Sequence, residues 1–600
     1  MKDQKNSYNY LKKEYFYERR IFLEYILINE NKIGHSAIEQ VLGNRGITDI
    51  MHYLNTTDDD ILDPLGLKNM REGAKMLISH MAADDPVFIQ VDSDCDGYTS
   101  AAALINYLNY LFPHFAQTKI SYRVHGDKAH GLLLETIPKE VKLVIAPDSS
   151  SEDYEVHKQL KERGVDVLVL DHHEAEHESE YACIINNQLC DYKTKSLSGV
   201  GIVYKFCCYL DSLLGTECAD EILDLVALGM TADMMSLLDC ETKHLIQKGL
   251  EKIQNPFFKG MTIKNEYSLG ERITPFGVSF YIAPYINAVT RSGTIDEKMV
   301  LFESMLDFKA YDLIPSTKRG YKGQDELRVE QACRTSINVK NRQTKVRDAS
   351  LEAIQCLIEE ENLLDNKVLA IRLRGGQKST LSGLIANQLM SIYQKPVLIL
   401  SETEHDGEAW WEGSCRGPNL PGLEDCKAFY ESSGLIEYCQ GHANAFGLGI
   451  RNSQYEEFIN WCNEQLKDFE FTPKYKVDFI YDAKNVKDNE TDFYNLMEYS
   501  NLWGQDVQAP LIAIENVMLT QDNIDLMKGT TLKVELPNDC GVNLIKFKTS
   551  AEEYEVLRPD SEIGCVRINV VGSCEKNSYT GRPQLIIKDY EIVDKQSYYF

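Results

Sequence analysis

Residues 91–100 read VDSDCDGYTS and hold Asp92, Asp94 and Asp96 within five positions. The run before them, Pro86 to Val91, is apolar and β-branched, and Tyr98 to Phe112 after them carries Ala, Leu and Tyr at helical spacing. The acidic cluster is therefore expected in a strand-to-helix loop, where open α/β sheets place their sites. Carboxylates crowded this closely repel one another unless a cation lies among them, and hard oxygen donors suit Mg²⁺ or Mn²⁺. An EF-hand calcium loop begins with the same letters, but it needs a bidentate Glu at its twelfth position, here Ala103, and a helix in front. A solvated acidic turn is the competing reading of this stretch taken alone.

The chain of 600 residues is long enough for two to four domains. Its 43% hydrophobic and 26% charged content is that of a globular protein with large cores. The 16 cysteines include no C-x-x-C pair, and no signal segment or apolar membrane-length run is present, so a cytoplasmic protein with free thiols and no membrane contact is expected. The net charge of -29 opposes simple polyphosphate binding. Any nucleic acid must be drawn to a local basic channel or held through metals.

Residues 1–80 read as a helical lead-in, with Tyr, Leu and Ile on one face of Tyr15 to Asn29 and a turn near Asn55, and suggest no chemistry. From Pro86 strand and helix signals alternate, as a parallel sheet requires. Val141 to Ala146 ends at Asp148, and Val165 to Leu170 runs directly into Asp171, His172 and His173. A lone strand-final Asp is commonly a turn former, but packing rarely calls for two adjacent histidines, and imidazole is a common ligand for metals of this class. Glu221 to Leu238 reads as a helix whose apolar stretch contains Asp233, either a ligand or a helix-end feature. Gly199 and Gly201 mark close packing or a backbone that approaches a ligand.

From Ser316 to Arg347 the balance turns basic, with Lys318, Arg319, Lys322, Arg328, Arg334, Lys340, Arg342, Lys345 and Arg347 facing only three acids. The segment is a candidate phosphate-tracking surface or a solvated linker helix. A second α/β unit follows near Lys367, with strands at Val368 to Leu373 and Pro396 to Leu400 around a helix from Ser379 to Tyr393. In GSCRG (413–417), Ser414 and Arg416 sit at alternate positions and can grip one phosphate. In GHANAFG (441–447), His442 among glycines can donate to it. Short β-rich runs from Thr531 to Ile587 suggest a small barrel, with Phe547, Tyr579 and Tyr590 as stacking candidates or core.

The ordered set DSDCDG, Asp148, Asp171-His172-His173 and VALGMTADMMSL with Asp233 resembles the four motifs of the DHH phosphoesterase superfamily. LSGVGIVYKF (197–206) and APYINAVTR (283–291) are similar to signatures of its RecJ-like single-strand exonuclease branch, and the two Gly-rich stretches resemble those of the DHH-associated domain. The resemblance implies an α/β fold: a parallel-sheet DHH domain, a second smaller α/β DHH-associated domain and a C-terminal OB-like β-barrel. The corresponding divisions are a helical lead-in at 1–80, the catalytic domain at 81–315 and a basic helical connector at 316–366. A substrate-binding domain at 367–472 and an OB-fold-like nucleic-acid-binding domain at 473–600 complete the chain.

The resemblance also implies two Mn²⁺ or Mg²⁺ ions held by Asp94, Asp96, Asp148, His172 and Asp233, with Asp148 as the bridge. Catalytic roles fall to His173 on the scissile phosphate, Arg291 against developing charge and Asp92 in support. Substrate binding falls to Ser414, Arg416, Gly441 and His442, and also to Arg123 and Lys128. One departure is Gln90, which stands where many members carry a histidine and offers only a weak neutral ligand. The implied activity is 5′-end hydrolysis of single-stranded DNA to mononucleotides, in repair or recombination, with a single-strand-binding protein or helicase as candidate partner. The alternatives are a phosphodiesterase acting on short oligoribonucleotides or cyclic dinucleotides, and a non-catalytic strand-binding member of a replication complex.

Overall fold

The computed structural model describes residues 23–126, 129–373, 381–561, 563–577 and 580–596. Its first sheet grows from the run around Phe88. Strand β1 (Val87–Val91) is buried along its whole length, as a strand covered on both faces must be. It leads into helix α1 (Cys95–Leu111), whose Ala101, Ala102 and Ala103 are fully buried. Strands β2 (Ile120–Val124), β3 (Leu143–Pro147), β4 (Asp166–Asp171) and β5 (Cys183–Asn186) complete a parallel sheet of order β2-β1-β3-β4-β5. Chain order reverses between β1 and β3, so a crevice opens at their carboxyl ends. The acidic loop follows β1, and Asp148 follows β3.

Helices α2 (Gly199–Leu214) and α3 (Leu223–Ala232) pack on α1. The single helix expected over Glu221 to Leu238 is broken. It begins as a 3-10 turn at Ala219–Ile222, and α3 ends at Ala232, with Asp233 as its cap and Met234 at φ +57°. Terminating the helix there turns the Asp233 carboxylate toward the crevice instead of along a helix face. Helix α4 (Ala283–Ser292) follows, and then α5 (Arg328–Glu360), a rod of 33 residues. The first half of α5 packs on α4 and the helix Ile295–Ser304, while its Leu351, Ile354 and Ile358 belong to the core of the next unit.

That unit contains β6 (Leu369–Leu373), α6 (Ser382–Tyr393), β7 (Val397–His405), β8 (Glu408–Arg416), β9 (Tyr438–His442) and β10 (Ala445–Arg451), in sheet order β9-β10-β8-β7-β6. Only β6 and β7 run parallel. The last unit is one mixed sheet of β11 (Phe479–Asp482), β12 (Leu511–Leu519), β13 (Ile524–Met527), β14 (Thr531–Glu535), β15 (Asn543–Phe547), β16 (Cys565–Lys576) and β17 (Pro583–Gln596). Its order is β11-β12-β16-β17-β15-β14-β13. Tyr590 is buried there and its hydroxyl donates to Glu553 Oε1 at 2.7 Å, so it is core and not a stacking platform. Phe547 is exposed, and Tyr579 lies outside the described residues.

The lead-in departs from its expected helix. Where its residues are described, Tyr15 to Asn29 contains a strand, Glu24–Leu27, paired parallel with Lys474–Val477. Tyr25 and Leu27 alternate inward against Val477, Ala513 and Val571, a period of two that only a strand satisfies. Arg45 then forms a two-pronged pair with buried Asp478, at 2.8 and 2.9 Å. The lead-in, the first sheet and the last unit share one continuous apolar core, whereas the second α/β unit has its own.

Candidate metal centre

Asp94 caps α1, accepting the Gly97 N–H at 3.0 Å. This turn throws Asp92 and Asp96 inward, to 2% and 1% exposure. Asp96 points at the start of α2, where Ser198 Oγ donates at 2.8 Å, Gly199 N at 2.6 Å and Val200 N at 3.3 Å. The free N–H groups of a helix N-terminus are a natural seat for a carboxylate. Asp148 sits at φ +62°, a left-handed backbone that Asp tolerates better than most residues. Three glycines stand directly against these acids. A Cβ on Gly97 would meet Asp92 Cβ at 2.6 Å, one on Gly199 would meet Asp148 Oδ1 at 2.5 Å, and one on Gly229 would meet Asp96 Oδ1 at 2.5 Å.

The convergence point is His172. Its Nε2 lies 3.2 Å from Asp148 Oδ1, 3.4 Å from Asp233 Oδ2 and 3.9 Å from Asp96 Oδ2. Asp96, His172 and Asp233 thus offer ligand atoms within 4.8 Å of one another, and Asp92, Asp94 and Asp148 form a second such triad. Asp148 touches both. Asp148 Oδ1 and His172 Nε2 are buried and accept no hydrogen bond from the protein, an arrangement that is costly unless something else fills it. The donor set is hard carboxylate with one imidazole, which fits Mn²⁺ or Mg²⁺.

Without a cation the cluster resists ionisation. Burial first, and then the charges of Asp96 and Asp94, push Asp148 well above the carboxylate range and Asp233 up to about 8. Burial likewise raises Asp94, while it lowers His172 and keeps its Nε2 lone pair available. His173 behaves in the opposite way. Its Nδ1 bonds Asp171 Oδ1 at 2.8 Å, which raises it to about 9. Burial alone would raise Asp171, but His173, His172 and the Ser151 contact hold it far below the usual range. His173 therefore stands half out of the crevice as a cation beside a neutral ligand.

Two histidines and one asparagine complete the mouth without having been singled out from sequence. His130 Nδ1 reaches Asp92 Oδ2 at 2.7 Å, and the neighbouring Gly131 N–H reaches Asp92 Oδ1 at 3.0 Å. His125 Nε2 lies 3.8 Å from Asp92 Oδ1. Asn287 Oδ1 on α4 accepts the Cys95 N–H at 3.1 Å, fixing the acidic loop from the far side. Gln90 turns away, its amide donating to the carbonyls of Val91 and Arg123. His125-Gly126 and His130-Gly131, two His-Gly pairs just beyond β2, were the available signal for the histidines, and Asn287 lay within APYINAVTR.

Arg291 lies one turn beyond Asn287 on α4. Burial first, then Arg347 and then Arg291 lower the proton affinity of Lys340 on α5, and burial, with a lesser part from Arg291, lowers that of Arg416 on β8. Ser414 and Arg416 share a sheet face with α6: Ser414 Oγ is 2.9 Å from Ser382 Oγ, and a Cβ on Gly383 would meet Arg416 Nη2 at 2.7 Å. His442 lies in the same cross-strand row as Arg416, through Ala445, and Gly441 before it has φ +125°. Arg123 stands exposed on edge strand β2, apart from the residues that converge on His172, and Lys128 lies outside the described residues. Four of the nine basic residues of the segment are paired with acids: Arg328 with Glu303 and Asp312, Arg334 with Glu326, Arg342 with Glu297 and Arg347 with Asp348.

A crevice at a sheet's switch point, lined by carboxylates and the His172 imidazole, has the donor set of a metal centre. Residues 86–230 match the profile of the DHH family, N-terminal domain, and residues 481–589 match that of the RecJ OB domain. A Bacillus subtilis protein named SPbeta prophage-derived single-strand DNA-specific exonuclease YorK is 34% identical over 95% of this chain and 98% of its own. The B. subtilis single-stranded-DNA-specific exonuclease RecJ is 26% identical over 91% of this chain and 66% of its own. The fold superposes on the crystal structure of RecJ in complex with Mn²⁺ from Thermus thermophilus, with a TM-score of 0.66 at 19% identity, covering 94% of this chain and 76% of that one. The same protein with Mg²⁺ gives 0.60 at 18%, over 94% and 75%. The chain belongs to the DHH family, in its RecJ-like branch of hydrolases.

Proposed function

We propose that the protein is a single-strand-specific DNA exonuclease that removes mononucleotides from the 5′ end, serving repair or recombination. The observation that carries this reading is the pair of acidic triads joined at Asp148, to whose loop Asn287 ties the helix that also bears Arg291. The triads could hold ions that cut a phosphodiester, and Arg416 could grip a phosphate through its forked guanidinium. The relatives named single-strand DNA-specific exonucleases support the substrate class, and the OB-type unit supports a polymer over a dinucleotide.

On this reading Asp94, Asp96, Asp148, His172 and Asp233 would hold two Mn²⁺ or Mg²⁺ ions, with Asp148 between the two triads and Asp92 completing the second. Bound there, the ions would supply Lewis acidity to a water and to the departing oxygen. His173, kept protonated by Asp171, donates to a non-bridging oxygen of the scissile phosphate. Arg291 offsets charge that grows there, and Ser414, Arg416 and His442 of the DHH-associated unit seat the strand's end. A time course in Mn²⁺ with 5′-labelled and 3′-labelled single strands, a duplex and a short RNA tests this. Immediate release of 5′ mononucleotide from single strands is expected. Release first from the 3′ label, or cleavage of short oligomers alone, would overturn it.

A further inference from the structure

Away from the crevice, residues 49–60 lie against the helix Cys240–Glu251. Asp49 caps the helix Ile50–Leu54 by accepting the His52 N–H at 3.1 Å, and Asp60 Oδ2 accepts the Thr57 N–H at 2.8 Å. Contacts to the second segment fix both pieces. Tyr53 OH donates to Leu237 O at 3.0 Å, and Lys243 Nζ donates to Tyr53 O at 2.5 Å and Thr56 Oγ1 at 3.0 Å. Asp58 bridges His244 and Lys248, each at 2.9 Å. Within this frame His52 Nε2 lies 2.7 Å from Asp60 Oδ1, and Cys240 brings a sulfur, so that nitrogen, oxygen and sulfur donors all lie within 4.8 Å of one another.

We propose that His52, Asp60 and Cys240 bind one zinc-class divalent cation, leaving an open fourth position toward solvent. Ligands at roughly 2.0–2.3 Å around a tetrahedral zinc stand about 3.3–3.8 Å apart. His52 and Asp60, 2.7 Å apart, must therefore part by about 1 Å, and Cys240 already lies within 4.8 Å of both. The thiolate makes this a softer set than the oxygen-rich crevice, and it selects a different metal class. Cys240 is the first residue of a twelve-residue helix, whose N-terminal N–H groups favour a thiolate. Before ligation, burial and then the Asp60 carboxylate hold the sulfur protonated; on binding, that proton passes to solvent, His52 binds neutral and Asp60 binds as carboxylate. Lys243 faces the same space, but its ammonium is directed at the Tyr53 carbonyl and Thr56. The ion would clamp the segment 49–60 to the 233–240 stretch, which begins at Asp233.

Chelator-stripped full-length protein titrated with Co²⁺ tests the site, because only a cysteine ligand gives a near-ultraviolet thiolate-to-cobalt charge-transfer band, and the crevice triads contain no sulfur. The band is expected to saturate at one equivalent and to be bleached by Zn²⁺ but not by Mg²⁺. It should be lost in both Cys240→Ser and His52→Gln, with far-ultraviolet circular dichroism unchanged. No band in the wild-type protein, or a band that survives either substitution, overturns the proposal. Two surface-proximal variants on separate segments keep the result decisive if one of them folds poorly.

Discussion

Gly199→Ala tests whether the crevice depends on backbone clearance as much as on its carboxylates. A Cβ at this position would stand 2.5 Å from Asp148 Oδ1 and 2.7 Å from Asp148 Cα. Non-bonded heavy atoms settle at about 3.5–4.0 Å, so Asp148 or the start of α2 must retreat by roughly 1 Å. That overpacking costs about 1–3 kcal/mol of stability. A 1 Å displacement of reacting groups costs about 10²-fold in rate. The same retreat loosens Asp96, which takes the Gly199 N–H at 2.6 Å. Steady-state exonuclease assays in Mn²⁺ should show kcat reduced about 10²-fold with KM little changed, and a higher Mn²⁺ concentration needed for half-maximal rate. Gly201→Ala is the control, since the nearest atoms its Cβ would meet are Leu197 Cβ at 3.2 Å, Leu197 Cδ2 at 3.4 Å and Met230 Sδ at 3.6 Å. It should lose some stability and keep near-normal kcat. A folded Gly199→Ala enzyme working at the wild-type rate would refute the clearance argument.

Three further changes probe other parts of the molecule. Asp96→Ala should abolish hydrolysis and leave strand binding nearly intact by gel retention, whereas Arg416→Ala should raise KM several-fold more than it lowers kcat. In chelator, Asp148 and Asp233 bind protons in the folded state at pH values where the unfolded chain has lost them. The stability they confer is therefore present at low pH and lost as pH rises from about 4 through about 8, the value for Asp233. Thermal melts should accordingly fall from pH 6 to pH 8 without metal, and Mn²⁺ should raise the pH 8 melt more than the pH 6 melt; the reverse order would remove the reading of the crevice as a crowded acid cluster. Arg45→Ala leaves Asp478 buried without its guanidinium. It should cost about 3–5 kcal/mol in a urea titration, partly relieved by Asn44 and the Leu511 N–H, which also reach that carboxylate.

Strands β1, β3 and β4 were legible because they are apolar runs that end in polar residues, as strands buried on both faces are; β2, ISYRV with alternating burial, and the short β5 were not. Gly199 was legible as a close approach, but what it approached was not: proximity to Asp148 follows from strand order β2-β1-β3-β4-β5, which no local pattern encodes. The same limit explains His130 and Asn287. His130 stood in a His-Gly pair and Asn287 within APYINAVTR, but the partner of each, Asp92 or the Cys95 N–H, comes only from the topology. The basic run shows a related limit. Counting charge along the chain registers Arg328, Arg334 and Arg342, yet Glu303, Glu326 and Glu297 neutralise them.

The strand at Glu24–Leu27 shows the sharpest divergence between local pattern and outcome. Helical spacing of Tyr, Leu and Ile competes there with alternation, and a four-residue segment supplies too little of either period to decide. The parallel partner Lys474–Val477 lies about 450 residues away, so the decision belongs to tertiary pairing. That pairing, with Arg45 on Asp478, ties the lead-in to the last unit in a small core of its own, while Ile38, Val41 and Tyr53 after it join the larger core that holds β1, α1 and Ile512 of the last unit. The acidic loop therefore rests on a scaffold to which residues as far apart in sequence as Ile38 and Tyr590 contribute.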